Sequence, residues 1–176
     1  MFLANLYNTL EFWLCRVLGL IKFKHVGKKS VVKYWLYGNA EHIDIGDYVY
    51  IWERAQFWWL WGITIGNGTI IGPNVVIRSS NHDYKSWDFL PYGPDAEKKP
   101  VHIGENCWIG DMVIIAPGSI VGEWCIIGMG AIVSGTVPPY SIVVGPRGEV
   151  KKQRDIDVYN RLKKEGKIYM KYKKAW

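Results

Sequence analysis

Aliphatic residues recur along this chain at every sixth position, each followed by a small residue. From Ile103 the beat reads Ile103-Gly104, Ile109-Gly110, Ile115-Ala116, Val121-Gly122, Ile127-Gly128 and Val133-Ser134. The same beat runs earlier through Ile45-Gly46 and Ile51, and through Ile65-Gly66, Ile71-Gly72 and Ile77. Hexad repeats predict an all-β chain, a parallel β-helix in which each hexad supplies one short strand and one corner. Three hexads then close a coil of about 18 residues, with the opening aliphatic residue pointing inward.

The fifth hexad position is small or apolar as well: Val49, Ala55, Thr69, Val75, Cys107, Val113, Ser119, Cys125, Ala131 and Val137. It too is expected to face inward, near a corner where little volume remains. Glycines and the residues Asp47, Asn67, Asn74, Asn106 and Asp111 suit corner conformations with φ > 0. Threading the hexads stacks Ile65, Ile103, Val121 and Pro139 on one face. Ile71, Ile109 and Ile127 stack on a second, and Ile77, Ile115 and Val133 on a third. Cys107 and Cys125 become neighbours one coil apart, about 4.8 Å by strand spacing. They read as core packing rather than as a redox pair.

Two interruptions break the beat. Two extra residues lie between Phe57 and Ile65, in the run Phe57-Trp58-Trp59-Leu60-Trp61-Gly62. Between Ile77 and Ile103 the step is not a multiple of six, and Pro91, Gly93, Pro94 and Pro100 mark 83–100 as a loop thrown out from a corner. A loop of that length inside a compact domain is usually functional or disordered. A weaker first coil begins at Val26-Gly27 and Val32. Before it, apolar residues at three- and four-residue spacing from Phe2 to Ile21 predict a helix, and residues 151–164 predict another. The expected organisation is a helical segment over 1–25, the β-helix over 26–150 with its loop, and a C-terminal helix with a basic tail over 151–176.

The chain has 176 residues, three cysteines and a formal net charge of +6. Its length suits one domain with a real core, and unpaired cysteines without a signal-like start suit a reducing, cytoplasmic compartment. No apolar run is long enough to span a membrane as a helix. Lysines crowd 22–33, and basic residues crowd the tail from Arg147. These ends read either as solvated charge or as attraction to a phosphate-bearing ligand or an anionic membrane surface. Nucleic acid is disfavoured, since no nucleic-acid module is visible. Trp58, Trp59 and Trp61 interrupt the repeat, so they are not all expected in the core. With the N-terminal helix they form either an apolar surface for peripheral membrane binding or a cap and subunit contact.

Candidate chemistry concentrates in Ser79-Ser80-Asn81-His82-Asp83-Tyr84. A histidine where the third strand of a coil ends and a loop begins is placed to act as a general base. His25, His42 and His102 have no such setting.

The hexads, this stretch, Val101-His102-Ile103-Gly104-Glu105-Asn106-Cys107-Trp108-Ile109-Gly110 and the run from Ile127 through Pro139 resemble the hexapeptide-repeat acetyltransferases. Within them the chain is similar to the maltose/galactoside O-acetyltransferase branch, which includes polysaccharide acetyltransferases. The resemblance covers about Ile43 to Lys152. It implies a left-handed parallel β-helix, a homotrimer, and acetyl-CoA lying in a groove between prisms. It implies that His82 takes the proton of an acceptor hydroxyl that attacks the thioester directly. Trp108, Asp111, Met129, Ser134 and Gly135 match positions that line the pantetheine arm.

Two features depart from the family pattern. The usual closing Gly-x-Pro-Ala-Lys/Arg reads Gly145-Pro146-Arg147-Gly148-Glu149-Val150-Lys151 here. Phosphate contact therefore falls to Arg147 or Lys151 without a clean match. The acceptor-holding side chain of an earlier coil is assigned to Glu53, with Gln56 behind it. The reading is thus an acetyl-CoA-dependent O-acetyltransferase acting on a sugar hydroxyl of a cell-surface polysaccharide or lipid-linked glycan precursor. N-acetylation of an amino-sugar nucleotide and a non-catalytic binding scaffold are the alternatives. A metal hydratase is set aside because His82 lacks partner histidines at metal-ligand spacing.

Overall fold

A residue that repeats every sixth position can bury itself only if each coil lies in register on the next, and this is what the chain does. In the computed structural model, Leu14 and residues 22–33, 40–58, 61–85, 88–145 and 155–167 are described. They fall into two compact units, one within Met1–Ser80 and Lys98–Pro146, the other within Asn81–Glu97 and Arg147–Trp176. The N-terminal helix expected before residue 22, Cys15, Trp59, Arg147 and Lys151 lie outside the described residues.

The first unit is a parallel β-solenoid of three sheets. Its first face stacks His25–Val26, Ile43–Ile45, Ile63–Ile65, Val101–Ile103, Ile120–Val121 and Thr136–Val137. The second stacks Val31–Val32, Tyr50–Ile51, Ile70–Ile71, Trp108–Ile109, Ile126–Ile127 and Ile142–Val143. The third stacks Gln56–Trp58, Val76–Arg78, Ile114–Ile115 and Ile132–Val133. Val26, Ile45, Ile65, Ile103 and Val121 are register partners in turn, and all are buried. The coil length adapts outside the ladder. Ile65 pairs with Ile103 across the whole loop, just as Ile103 pairs with Val121.

One threading expectation is corrected. Val121 pairs with Val137, not Pro139. The corner between Ile132–Val133 and Thr136–Val137 holds only Ser134 and Gly135, so this coil is two residues short. Val137 therefore occupies an opening position, and Pro138 and Pro139 stand at the next corner.

A second correction concerns the corners. Asn74 and Asn106 have positive φ, but Asp47, Asn67 and Asp111 do not. The left-handed residue beside each of the last three is the following one, Tyr48, Gly68 or Met112. Two of the preceding polar residues use their side chains instead, bonding between coils. Asp47 Oδ1 accepts from Lys28 N at 2.6 Å, and Asn67 Oδ1 accepts from Asp47 N at 2.7 Å. Asn67 Nδ2 then donates to Glu105 Oε1 at 3.0 Å. The hexad glycine before each corner is needed for closeness: a Cβ on Gly104 would lie 2.5 Å from Glu123 N.

The small fifth-position residues form a hydrogen-bonded column inside one corner. Thr69 Oγ1 donates to Gly104 O at 2.9 Å and accepts from Cys107 N at 3.1 Å. Cys107 Sγ donates to Gly122 O at 3.0 Å, and Cys125 Sγ to Pro138 O at 3.1 Å. Both thiols are buried and free, so they pack as expected and also satisfy carbonyls of the next coil. Burial pushes the Cys107 thiol up, away from the reactive thiolate.

In the second unit, helix α1 spans Ile156–Lys164. Asp155 caps it by accepting from Asp157 N and Val158 N, and Arg161, Lys163 and Lys164 oppose the negative end of its dipole. Leu162 is its buried anchor. Leu90 N donates to Lys167 O, tying the loop to the chain just past the helix.

The Thr69 hydroxyl is expected to matter more than its methyl group. Thr69→Val keeps the volume but strips a partner from Gly104 O and Cys107 N inside the core. A loss of about 1–3 kcal/mol is expected for such orphaned groups. Urea unfolding of the two proteins checks this, and equal midpoints would contradict the column.

Candidate active site

The corner after Val76–Arg78 is where the solenoid releases its long insertion. The chain continues as Ser80–His82, which pairs with Ala96–Lys98 in a two-stranded ribbon. Lys99 N donates to Ser79 O at 3.0 Å and Asp83 N to Asp95 O at 3.1 Å, so the two strands run in opposite senses. The segment expected as a loop from residue 83 is therefore ordered at its base, and His82 stands on a strand rather than at the corner itself.

His82 is exposed. Its ring stacks on Tyr92 with centroids 4.0 Å apart and planes 15° from parallel. Asn81 Oδ1 accepts from His82 N at 3.0 Å, and His82 O accepts from Tyr84 N at 2.8 Å. The backbone is thus clamped on both sides. Among the described residues no side chain bonds the imidazole nitrogens, and the aromatic contact with Tyr92 orients the ring. Lys85 braces the same ribbon: Nζ reaches Glu97 Oε1 at 2.8 Å, and that hydrogen bond raises the ammonium pKa. A base on such a ribbon has the exposure and the fixed plane that proton transfer requires.

Those of the other candidates that are among the described residues lie on the first unit. Trp108 points outward on the second face, 56% exposed, between Ile70 and Ile126 in register. Asp111 and Met129 stand at the same corner in successive coils, where Gly130 N donates to Asp111 O at 2.9 Å. A Cβ at Gly72 would lie 2.5 Å from Asp111 Oδ1, so that carboxylate folds back onto the preceding coil. Met129 is exposed. Ser134 and Gly135 form the shortened corner between the third and first faces. Gly135 takes φ 82°, and a Cβ there would meet nothing within 4 Å. Backbone and side chains at these positions are open to a long, thin ligand; Gly130 is equally uncrowded. Glu53 is exposed at the corner column of Asp111 and Met129, in an earlier coil, and its carbonyl accepts from Asn74 N at 3.3 Å.

Sequence reasoning missed Tyr92. Nothing in the spacing of Pro91-Tyr92-Gly93 announces that its ring meets His82, because the hexad register does not extend into the insertion. It also missed the cations that cover the tryptophans. Trp58 and Trp61 are exposed, with Arg78 Cζ 5.3 Å from the centroid of Trp58 and Lys98 Nζ 4.0 Å from that of Trp61.

Comparisons with known proteins bear on the solenoid. Residues 100–135 match the family described as bacterial transferase hexapeptide (six repeats). The galactoside O-acetyltransferase of Escherichia coli is 33% identical over 132 residues, covering 72% of this chain and 63% of that protein. The putative lipopolysaccharide biosynthesis O-acetyl transferase WbbJ of the same organism is 28% identical over 123 residues, covering 65% and 59%. The chain thus spans about three fifths of the length of these relatives. Among solved structures, a hexapeptide-repeat acetyltransferase of Vibrio cholerae complexed with acetyl coenzyme A is 29% identical. Its TM-score is 0.62, over 68% of this chain and 65% of that one. The chain is a hexapeptide-repeat protein, similar along its solenoid to the galactoside and polysaccharide O-acetyltransferases of that family.

Proposed function

We propose that the protein is an acetyl-CoA-dependent O-acetyltransferase acting on a sugar hydroxyl of a cell-surface polysaccharide or lipid-linked glycan precursor. The observation that carries this reading is His82, exposed on the ribbon and held flat against Tyr92. It is supported by likeness to a solenoid crystallised with acetyl coenzyme A and to O-acetyltransferases of sugars.

In this reading His82 accepts the proton of the sugar hydroxyl as its oxygen attacks the thioester carbonyl. The tetrahedral intermediate collapses, the carbon–sulfur bond breaks, and the imidazolium returns the proton to the departing thiolate. Trp108, Asp111, Met129, Ser134 and Gly135 line the pantetheine arm, and Arg147 and Lys151 meet the CoA phosphates. Glu53 assists in holding the acceptor. The coil is left-handed and the working unit is a homotrimer.

The faces of the solenoid support the trimer. Ile70, Trp108 and Ile142 stand exposed on the second face, and Ile114 and Ile132 on the third. The first face carries mostly polar residues outward, His25, Asp44, Thr64, His102 and Thr136 with Ile120 among them, and Lys24 is paired to Asp44 at 3.3 Å. Contiguous apolar columns on two faces of three mark interfaces. In this reading the enzyme works in the cytoplasm, and the apolar N-terminal sequence with the lysines of 22–33 supports peripheral attachment at the inner membrane face. Each such lysine near an anionic surface contributes about 1 kcal/mol.

Three outcomes are expected. His82→Ala loses about 100-fold or more in thiol release from acetyl-CoA with a sugar acceptor, while CoA affinity and thermal unfolding stay unchanged. A variant keeping a third of the wild-type rate would remove the general base. Light scattering at micromolar concentration gives three times the chain mass; a stable monomer would end the trimer reading. Sedimentation with anionic vesicles at low salt pulls down the intact chain but not one lacking residues 1–21. Equal pelleting of both, or of neither, would refute the membrane attachment.

A further inference from the structure

The corner that releases the ribbon is organised by one buried hydroxyl. Ser79 is fully buried. Its Oγ donates to Trp58 O at 3.2 Å and accepts from Trp61 N at 3.2 Å. Ser79 N also donates to Trp58 O at 2.8 Å, and Ser79 O accepts from Lys99 N at 3.0 Å. This single residue therefore pins the two tryptophans that flank the two-residue excess in the coil. It also fixes the backbone beside the two cations, since Arg78 precedes Ser79 and Lys98 precedes Lys99.

Each tryptophan carries one of those cations on its ring. Arg78 lies over Trp58, its register neighbour on the adjacent strand, and Lys98 lies over Trp61. A ring face attracts a cation through its quadrupole but offers no lone pair, so the N–H donors of both groups are left for another acceptor. Among the described residues, no carboxylate lies within ion-pair distance of Arg78 or Lys98. The segments 57–58, 61–62, 78–80, 98–101 and 116–119 contain three cations and no Asp or Glu. Arg78 and Lys98, exposed on flat apolar rings beside a backbone fixed by a buried hydroxyl, suit a ligand that is anionic and apolar at once.

We propose that Trp58, Trp61, Arg78 and Lys98 form an acceptor subsite for a phosphorylated sugar, with the phosphate or diphosphate on the two cations and the C–H face of the sugar on indole. Guanidinium presents a planar fork to phosphate oxygens and ammonium a point charge. The subsite deepens the sugar O-acetyltransferase reading and rests on it. It narrows the acceptor from a polysaccharide or glycan precursor in general to a glycosyl phosphate or diphosphate, the form in which glycans are carried on lipids or nucleotides. Residues 58, 61, 78 and 98 all belong to the solenoid unit, so the subsite is complete without any residue of the other unit.

The test is direct binding by the full chain without acetyl-CoA, which separates this inference from catalysis. Calorimetric titration compares galactose 1-phosphate, galactose and inorganic phosphate. The sugar phosphate is expected to bind about tenfold or more tighter than either component, weakening as salt rises. Arg78→Gln and Lys98→Gln each lose about tenfold for the sugar phosphate, with no change for galactose. Trp61→Leu weakens the sugar phosphate but not inorganic phosphate. Inorganic phosphate binding as tightly as the sugar phosphate would overturn the proposal. So would unchanged affinity in both charge variants, or displacement of the sugar phosphate by CoA. A change in subunit number in Arg78→Gln or Lys98→Gln would reassign the patch to a subunit contact and also overturn it. If sugar phosphate binds as expected but His82→Ala acetylates normally, the base assignment fails and the subsite stands.

Discussion

Register between coils is the constraint on which this molecule depends. Each short strand satisfies its backbone only through the coil before and the coil after it. Gly66 N donates to Ile103 O, Gly104 N to Val121 O, and Gly122 N to Val137 O, all between 2.8 and 2.9 Å. A strand of two or three residues is far too short to stand alone, so stability is shared between neighbouring coils, as in other solenoids. The ladder also brings backbones so close that only glycine fits before many corners.

The same constraint decides where novelty can enter. Adding residues within a strand would shift every inward aliphatic residue to the outside. Residues added at a corner leave the ladder untouched, provided the chain returns in register. Both large departures obey this rule. The tryptophan run lengthens one turn of the corner column between the third and first faces, and the ribbon with His82 leaves from the next turn of the same column. Val101 still pairs with Ile63 after the detour. Ser79 is buried and bonds to both departures, to Trp58 and Trp61 of the first and to Lys99 at the return of the second. Both departures share this corner because the fold tolerates irregular chain there.

Inside the solenoid, the narrow corners require small side chains, and small polar ones do additional work. Thr69, Cys107 and Cys125 each reach a carbonyl of the next coil. That explains why residues of modest hydrophobicity stand at this corner while the equivalent inward positions of the next corner are Ala55, Val75, Val113 and Ala131. Buried polar groups cost little only when bonded, and this column bonds them to the backbone that must be satisfied in any case.

Much of this was legible without coordinates. One strand per hexad, the inward column through Ile103 and Val121, the pairing of Cys107 with Cys125 across one coil and the place of the insertion all follow from a local period. The period reports which residues face inward wherever the beat is unbroken. Tertiary structure decided what lies outside the period. The partner of Val121 is Val137 because the Ser134-Gly135 corner is short, and counting by six overshoots it. Asp47 and Asn67 bond between coils instead of taking positive φ, which depends on the neighbour one coil away. Tyr92 meets His82 and Lys98 meets Trp61 through contacts formed within or after an insertion that carries no repeat. A repeat encodes burial locally, whereas the ring that faces a histidine and the cation that faces a tryptophan are set by how distant segments fold back on each other.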